Sequence, residues 1–308
     1  MRTATICKAG LAVAVAIGIL SPPARAEEAK PKTTAELLDA SAPSDWRQPD
    51  PASTLVMELP AGRVVIELAP QFTPKLVENI RTLARERYWD GLAIVRVHEN
   101  YVVQWGDPDS DDPARKRSLG SASETIAPEF SRPSEGLAFT ALADGDVYAP
   151  EVGHVDGLPA ARDPASGGAW LAHCYGMVGA GRGETADSGS GASLYVVIGH
   201  APRHLDRNSA LVGRVLQGME HLTRYPRGTG NLGFYERPEQ RIPITTVRLA
   251  SDLPADAQPK IEVLRTDTAL YQELLALRRN RVGGWWLVAA GKTDLCNAPL
   301  PVRDAKKP

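Results

Sequence analysis

The sequence predicts a mainly β, antiparallel fold capped by helices, with a long loop insertion and a C-terminal helical extension. Three observations carry that expectation. "TLVMELPAGRVVIELAP" (54–70) alternates apolar and polar residues on both sides of Pro60-Ala61-Gly62, the signature of a β-hairpin. Strand-length apolar runs then recur between turn residues, as "LAIVRV", "YVVQW", "SLYVVIG", "ALVGRVLQ" and "IPITTVRLA". Helical periodicity is confined to a few short segments.

In chain order, Arg2 and Lys8 precede the apolar run 9–20, and Ala24-Arg25-Ala26 fits a small-x-small cleavage site, so residues 1–26 read as a secretory signal removed after Ala26. The run is too short to cross a bilayer comfortably, and no later stretch reaches the roughly 18 apolar residues a spanning helix needs. Cys7 lies ahead of the apolar run, so it is not placed as a lipid-bearing cysteine. Residues 27–53 mix Lys, Pro, Ala, Ser and Asp and read as a linker or arm, apart from a helical turn or two at "TAELLDA". After the hairpin, "TPKLVENIRTLARERYWDG" (73–91) offers Thr73 as N-cap, Pro74 at the first helical position, and Leu76, Val77, Ile80, Leu83 and Ala84 at helical spacing. Residues 107–135 read as mostly loop. The stretch 132–168, dense in Gly, Pro, Ala and Asp, reads as a long peripheral loop insertion whose composition does not build a core. The tail 253–308 carries one amphipathic helix candidate, "DTALYQELLALRRN".

A hydrophobic content of 43% argues against disorder, and 35 basic against 37 acidic residues leave no field of one sign, so neither nucleic acid nor a membrane is the expected partner. Of three cysteines only Cys174 and Cys296 survive removal of the signal. Export permits a disulfide between them, while the apolar flanks of Cys174 equally suit a buried thiol.

"IVRVHENYVVQWGDP" (94–108) poses the functional question, because an apolar strand pair carries Arg96 and Gln104. Buried charge is costly unless satisfied, so the two either reach water or line a surface that uses them. Other motifs lead nowhere. "GDPDSDDP" lacks the glycine and terminal glutamate of a calcium loop, "GAGRG" misses the dinucleotide spacing, the histidines lack zinc-ligand pairing, and "DSGSGAS" is no nucleophile elbow.

The hairpin, capped helix, arginine strand, "QWGDP", "SLYVVIG", "GHAPRHLD" and "LVGRVLQGMEHL" follow one another as in cyclophilin-type peptidyl-prolyl isomerases, which the chain resembles over 54–252. That resemblance implies a closed antiparallel β-barrel with a substrate groove on its face. It implies that Arg96 donates to the twisting X-Pro amide and that Gln104 binds substrate backbone. Tyr101, Val102, Tyr195 and Leu205 would form the proline pocket, with Ser193, His204 and Ser209 as further substrate contacts. It also implies a monomer acting on proline-containing peptides and unfolded exported proteins in the periplasm or outside the cell, without cofactor or metal. The chain departs from the family pattern at Ile94 and Val95 (an aromatic and a histidine), Tyr101 (Phe), Val102 (Met), Ser193 (Gln), Tyr195 (Phe), His204 (often Trp), Ser209 (His or Tyr) and Val212 (Phe). Retained Arg96 and Gln104 favour the enzyme. Val95, Ser193 and Val212 favour a module that binds unfolded or partner chains without turnover. A third class, an envelope assembly factor, would leave no mark in the sequence.

Overall fold

A computed structural model describes residues 32–281 and 285–305. The expected signal, residues 1–26, lies outside the described residues. Among those described, no helix is long and apolar enough to cross a membrane. The chain runs α1 (Thr34–Asp39), β1 (Trp46–Arg47), β2 (Thr54–Leu59), β3 (Gly62–Leu68), α2 (Pro74–Arg85), β4 (Ala93–Val97) and β5 (Val102–Gly106). Next come β6 (Arg132–Pro133), β7 (Phe139–Leu142), β8 (Glu151–Val155), β9 (Leu158–Asp163) and β10 (Gly168–Leu171). It ends with β11 (Met177–Ala180), β12 (Leu194–Val197), β13 (Leu211–Gln217), α3 (Met219–Thr223), β14 (Ile242–Pro243), β15 (Thr246–Leu249), β16 (Ile261–Leu264), α4 (Ala269–Arg279) and β17 (Val302–Asp304).

Nine strands form one curled antiparallel sheet in the order β14-β4-β5-β12-β11-β13-β3-β2-β15. The expected closed barrel is therefore a ladder left open between β14 and β15. Those edge strands are nonetheless consecutive in the chain. Between them the Ile244 amide donates to Leu92 (2.8 Å) and the Thr245 amide to Glu58 (2.9 Å), so these two residues bring the edges together. Period-2 alternation sends Leu55, Met57 and Leu59 of β2 and Val64, Ile66 and Leu68 of β3 into the core. Leu76, Val77, Ile80 and Leu83 of α2 seal one end, each such burial contributing about 1.5–3 kcal/mol. Thr73 precedes α2 but its side chain makes no cap bond. Glu129, far along the loop 107–135, caps instead, accepting from the Lys75 and Leu76 amides (3.1 and 2.9 Å).

Three expectations are corrected. The insertion 132–168 is no loop: β6 to β10 form a five-stranded antiparallel sheet in the order β6-β10-β9-β8-β7. It also has a core. Val152, Val155, Leu158, Ala160, Ala161 and Trp170 pack with Leu37 and Trp46 of the arm and with Tyr271, Leu274, Leu275 and Leu295 of the tail. Small residues serve because the large apolar groups arrive from elsewhere. The arm 27–53 is docked over its described part, with Trp46 and Arg47 of β1 paired to Leu264 and Val263. The tail adds to its expected helix, α4, the strands β16 and β17, which complete a three-stranded sheet with β1.

Two features tie these parts together. Cys174 and Cys296 form a disulfide closing a separation of 122 residues, worth about 5 kcal/mol in the chain-entropy account. Arg214 of β13, buried, donates to Gly157 in the insertion (2.8 Å) and to Leu300 in the tail (3.0 Å). Burial pushes its pKa down to about 10.

The second core predicts an acid response. His154 of β8 is fully buried, edge-on to Tyr271 of α4 with its Nε2 3.4 Å from the phenol oxygen. Burial, with Arg214 adding to it, pushes its pKa down to about 3. Because the unfolded value is near 6.5, the unfolded chain takes up a proton first as pH falls. Stability is expected to be flat with respect to this group above pH ~6.5 and to fall toward pH 3 by up to about 1.4 kcal/mol per pH unit. Urea unfolding of wild type and His154→Gln between pH 7 and 5 checks this. Equal pH slopes in the two proteins would remove His154 as the cause.

Candidate active site

Arg96 and Gln104 face each other across the β4–β5 ladder, next to an irregularity at Val95. The register puts both side chains on the outer face of the curled sheet, and their contacts fix them. Arg96 Nη1 donates to Gln104 Oε1 (3.1 Å), Nη2 lies 3.2 Å from His98 Nδ1, and Nε donates to the Leu232 carbonyl (2.6 Å). The guanidinium stands 5.5 Å from the Tyr101 ring centre and 5.2 Å from that of Phe234. Of its five N–H groups, three are engaged, which leaves two without a partner among the described residues. Arg96 is half-buried, and burial pulls its pKa below the ordinary arginine value, with Tyr101 offsetting part of the effect. It remains charged at any working pH.

Gln104 is held at both ends, because its Nε2 donates to Ser193 Oγ (3.0 Å). Beside this pair opens a groove of about 460 Å³ lined by Arg96, Tyr101, Val102, Gln104, Tyr195, Leu205, Ser209 and Phe234. Seven sequence-expected residues therefore meet on one groove. Ser193 stands one step behind, acting through Gln104. His204 stands exposed beside the groove, off the wall formed by the other seven, and its carbonyl accepts from Asn208 (3.1 Å).

Tyr195 is paired with Gly179 of β11 and lies across that glycine; a Cβ there would meet the ring at 2.3 Å. The ring is thereby laid along the groove floor toward β13. Its hydroxyl is 2.9 Å from His173 Nε2 and 2.8 Å from Ser209 Oγ. His173 is wholly buried, with Nδ1 and its own amide both 2.9 Å from Asp206 Oδ1. Asp206 in turn accepts from Arg203 Nε (2.6 Å), and Arg203 reaches Asp146 (2.9 Å). Burial alone would raise the Asp206 carboxyl, but His173 and Arg203 outweigh it and hold the group below the usual carboxylate range. Burial dominates at His173 and lowers its pKa, so the ring is neutral near pH 7. With Nδ1 donating to Asp206, a neutral ring accepts at Nε2, which makes Tyr195 the donor there. The polar atom of Tyr195 is thus turned away into a buried array, and the groove receives the ring.

Sequence reading missed His98, His173, Asp206 and Phe234. His98 had a signal, since it lies two residues past Arg96 and shares its strand face. Phe234 had none: it comes to the groove because the loop 228–234 folds onto β4, where a Cβ on Gly233 (φ +80°) would meet the His98 Cα at 2.7 Å.

A groove with an engaged arginine, an amide and an aromatic floor on an antiparallel curled sheet coincides with the comparisons to known proteins. The model of the "cyclophilin type peptidyl-prolyl cis-trans isomerase/CLD" family matches residues 54–249. The chain belongs to that family. By family it is a peptidyl-prolyl cis-trans isomerase, enzyme class 5.2.1.8. It is 24% identical over 199 residues to a probable peptidyl-prolyl cis-trans isomerase of Brucella suis, covering 64% of this chain and 83% of the relative. It is 25% identical over 203 residues to a peptidyl-prolyl cis-trans isomerase-like protein of Gibberella zeae, covering 65% and 96%. In fold it resembles the crystal structure of cyclophilin AquaCyp293 from Hirschia baltica, with a TM-score of 0.68 at 23% identity over 90% of this chain and 99% of the other. That likeness extends beyond the family-matched segment, into parts where the second core lies.

Proposed function

We propose that the groove binds proline-containing segments of exported, incompletely folded proteins and that Arg96 drives rotation of their X-Pro bonds. The barrier to that rotation, about 18–20 kcal/mol, comes from delocalisation of the amide nitrogen lone pair. The twisted amide regains that lone pair, so a fixed donor aimed at the nitrogen stabilises it without breaking any bond. Arg96 fits this part because three of its N–H groups are tied to Gln104, His98 and Leu232, and the remaining two are free to act from a set orientation. Tyr101, Val102, Tyr195 and Leu205 give the proline ring an apolar seat; Gln104, held by Ser193, and Ser209 position peptide backbone. The orientation of Arg96 is the single observation that carries the reading.

Export is supported by the charged start, apolar run and Ala24-Arg25-Ala26 of the sequence, and by the Cys174–Cys296 bridge, which persists in oxidising compartments. A single experiment addresses both parts. Protein recovered from the export compartment is expected to begin near Glu27 by mass and to accelerate cis-trans exchange of a proline peptide, followed by exchange NMR. Retention of Met1 to Ala26 overturns the export reading. Exchange no faster than in buffer overturns catalysis and leaves a peptide-binding module, the reading that the doubly engaged Gln104 and the substitutions at Val95 and Ser193 favour.

A further inference from the structure

The chain leaves α4 at Arg279 and returns at Gly291, whose amide donates to the Arg279 carbonyl (2.9 Å). The base of this loop is pinned to the insertion, because Arg279 Nε and Nη2 both reach the carboxylate of Asp144, which lies almost buried beneath them. At its tip stand Trp285, Trp286, Leu287 and Val288, exposed by 81, 42, 92 and 82%. Scattered apolar residues on a surface need no explanation, but four consecutive large ones mark a contact.

Cations outnumber acids around the tip. Arg281 lies over the Trp286 ring (4.9 Å), and Arg278 and Lys292 are exposed on either side of the loop. Arg279 is paired with Asp144, whose carboxylate Lys292 also approaches. The acidic groups near by are Glu273, earlier on α4, and Asp294, whose carboxylate caps the Cys296 amide (2.9 Å) on the far side of Lys292 in the chain. Indole rings settle at the boundary between headgroups and acyl chains, and cations beside them are drawn to anionic headgroups. A projecting apolar tip ringed by cations suits that boundary better than it suits a protein partner, which would need a shaped, part-polar surface. Nor does the tip line the groove at Arg96.

We propose that the 285–288 tip docks this protein onto an anionic lipid bilayer, with the Trp, Leu and Val side chains entering the interface and Arg278, Arg281 and Lys292 facing the headgroups. The balanced charge of the whole chain conceals this site, because its cations come together only at the end of α4 and the two ends of one loop.

The six tryptophans make the test direct. Trp46, Trp89, Trp105 and Trp170 are buried, so a fluorescence change on adding vesicles reports on Trp285 and Trp286. With protein beginning at Glu27, which keeps every described residue, vesicles of phosphatidylcholine mixed with phosphatidylglycerol are expected to shift the emission to the blue and to carry the protein down on sedimentation. Pure phosphatidylcholine is expected to do both far more weakly. Leu287→Ser is expected to lower the partition coefficient by at least about tenfold. Arg281→Gln and Lys292→Gln are each expected to lower it about fivefold, the effect vanishing in high salt. All three variants should turn over a soluble proline peptide like wild type, which separates this site from the groove. Absence of binding to phosphatidylglycerol vesicles, or equal binding to both vesicle types, overturns the proposal. So does a blue shift given by a reduced, unfolded polypeptide and not by vesicles, which would assign the tip to protein chains.

Discussion

Arg96→Ala is expected to lower kcat/KM for proline peptides by about a hundred- to a thousandfold, while peptide affinity and melting temperature change little. The loss falls on turnover because the guanidinium matters most when the amide nitrogen has regained its lone pair, and less when the planar peptide is merely bound. Folding is spared because the side chain sits half-buried on an outer face, and its partners Gln104 and His98 can turn to water when it is removed. Arg96→Lys should rescue poorly. A lysine can place one charge in the groove, but it cannot satisfy Gln104, His98 and the Leu232 carbonyl together and still present a fixed donor. Turnover and peptide affinity measured side by side on the three proteins decide the matter. Equal turnover in wild type and Arg96→Ala would take Arg96 out of the mechanism; a change in affinity alone would turn the groove into a binding site.

Asp206→Ala is expected to produce the largest loss of stability, about 3–5 kcal/mol near pH 7. The carboxylate is the centre of a buried array, and its removal strands Arg203 with Asp146 alone and takes the acceptor from both the ring and the amide of His173. Asp206→Asn keeps an acceptor for His173 and should cost less. The acid dependence follows from the lowered carboxyl pKa. Because the folded value lies below the unfolded value of about 3.9, the stabilisation is fully present above that pH and is lost as pH falls through the folded value. Urea unfolding of wild type and Asp206→Ala at pH 7 and below pH 4 measures it. A difference under about 1 kcal/mol at pH 7 would mean that the array does not hold the fold. The same variant also tests the groove, since His173 no longer fixes the Tyr195 hydroxyl, and a poorer KM with kcat nearly kept is the expected signature of a loosened proline seat.

The groove and this array are joined only in three dimensions, and that separates what local sequence could reveal from what it could not. Arg96, Gln104, Tyr101 and Val102 lie within nine residues, on two strands joined by a short turn, so period-2 alternation and the family's residue pattern located them together. Tyr195, Leu205 and Ser209 followed from the same pattern further along. His173, Asp206 and Phe234 come from three segments with no common spacing. His173 sits in an apolar, strand-like run and looked like one of several scattered histidines, and Asp206 closes a family-like motif without any sign that it meets that ring.

By itself the sequence determined the hairpin β2–β3, the helix α2 and the strand pair β4–β5, because each depends on periodicity or turn chemistry acting within some twenty residues, while the groove residues were legible only through the resemblance to the family's pattern. It also allowed the Cys174–Cys296 bridge without choosing it over a buried thiol. Tertiary structure alone decided that residues 132–168 are a sheet, that the arm is docked and that the tail adds two strands. The physical reason is burial. Ala160, Ala161 and Gly153 are too small to announce a core, and they become one only when Leu37, Trp46, Tyr271 and Leu295 arrive from more than a hundred residues away on either side. A local composition rich in Gly, Ala and Asp describes a loop until the partners that bury it are in place.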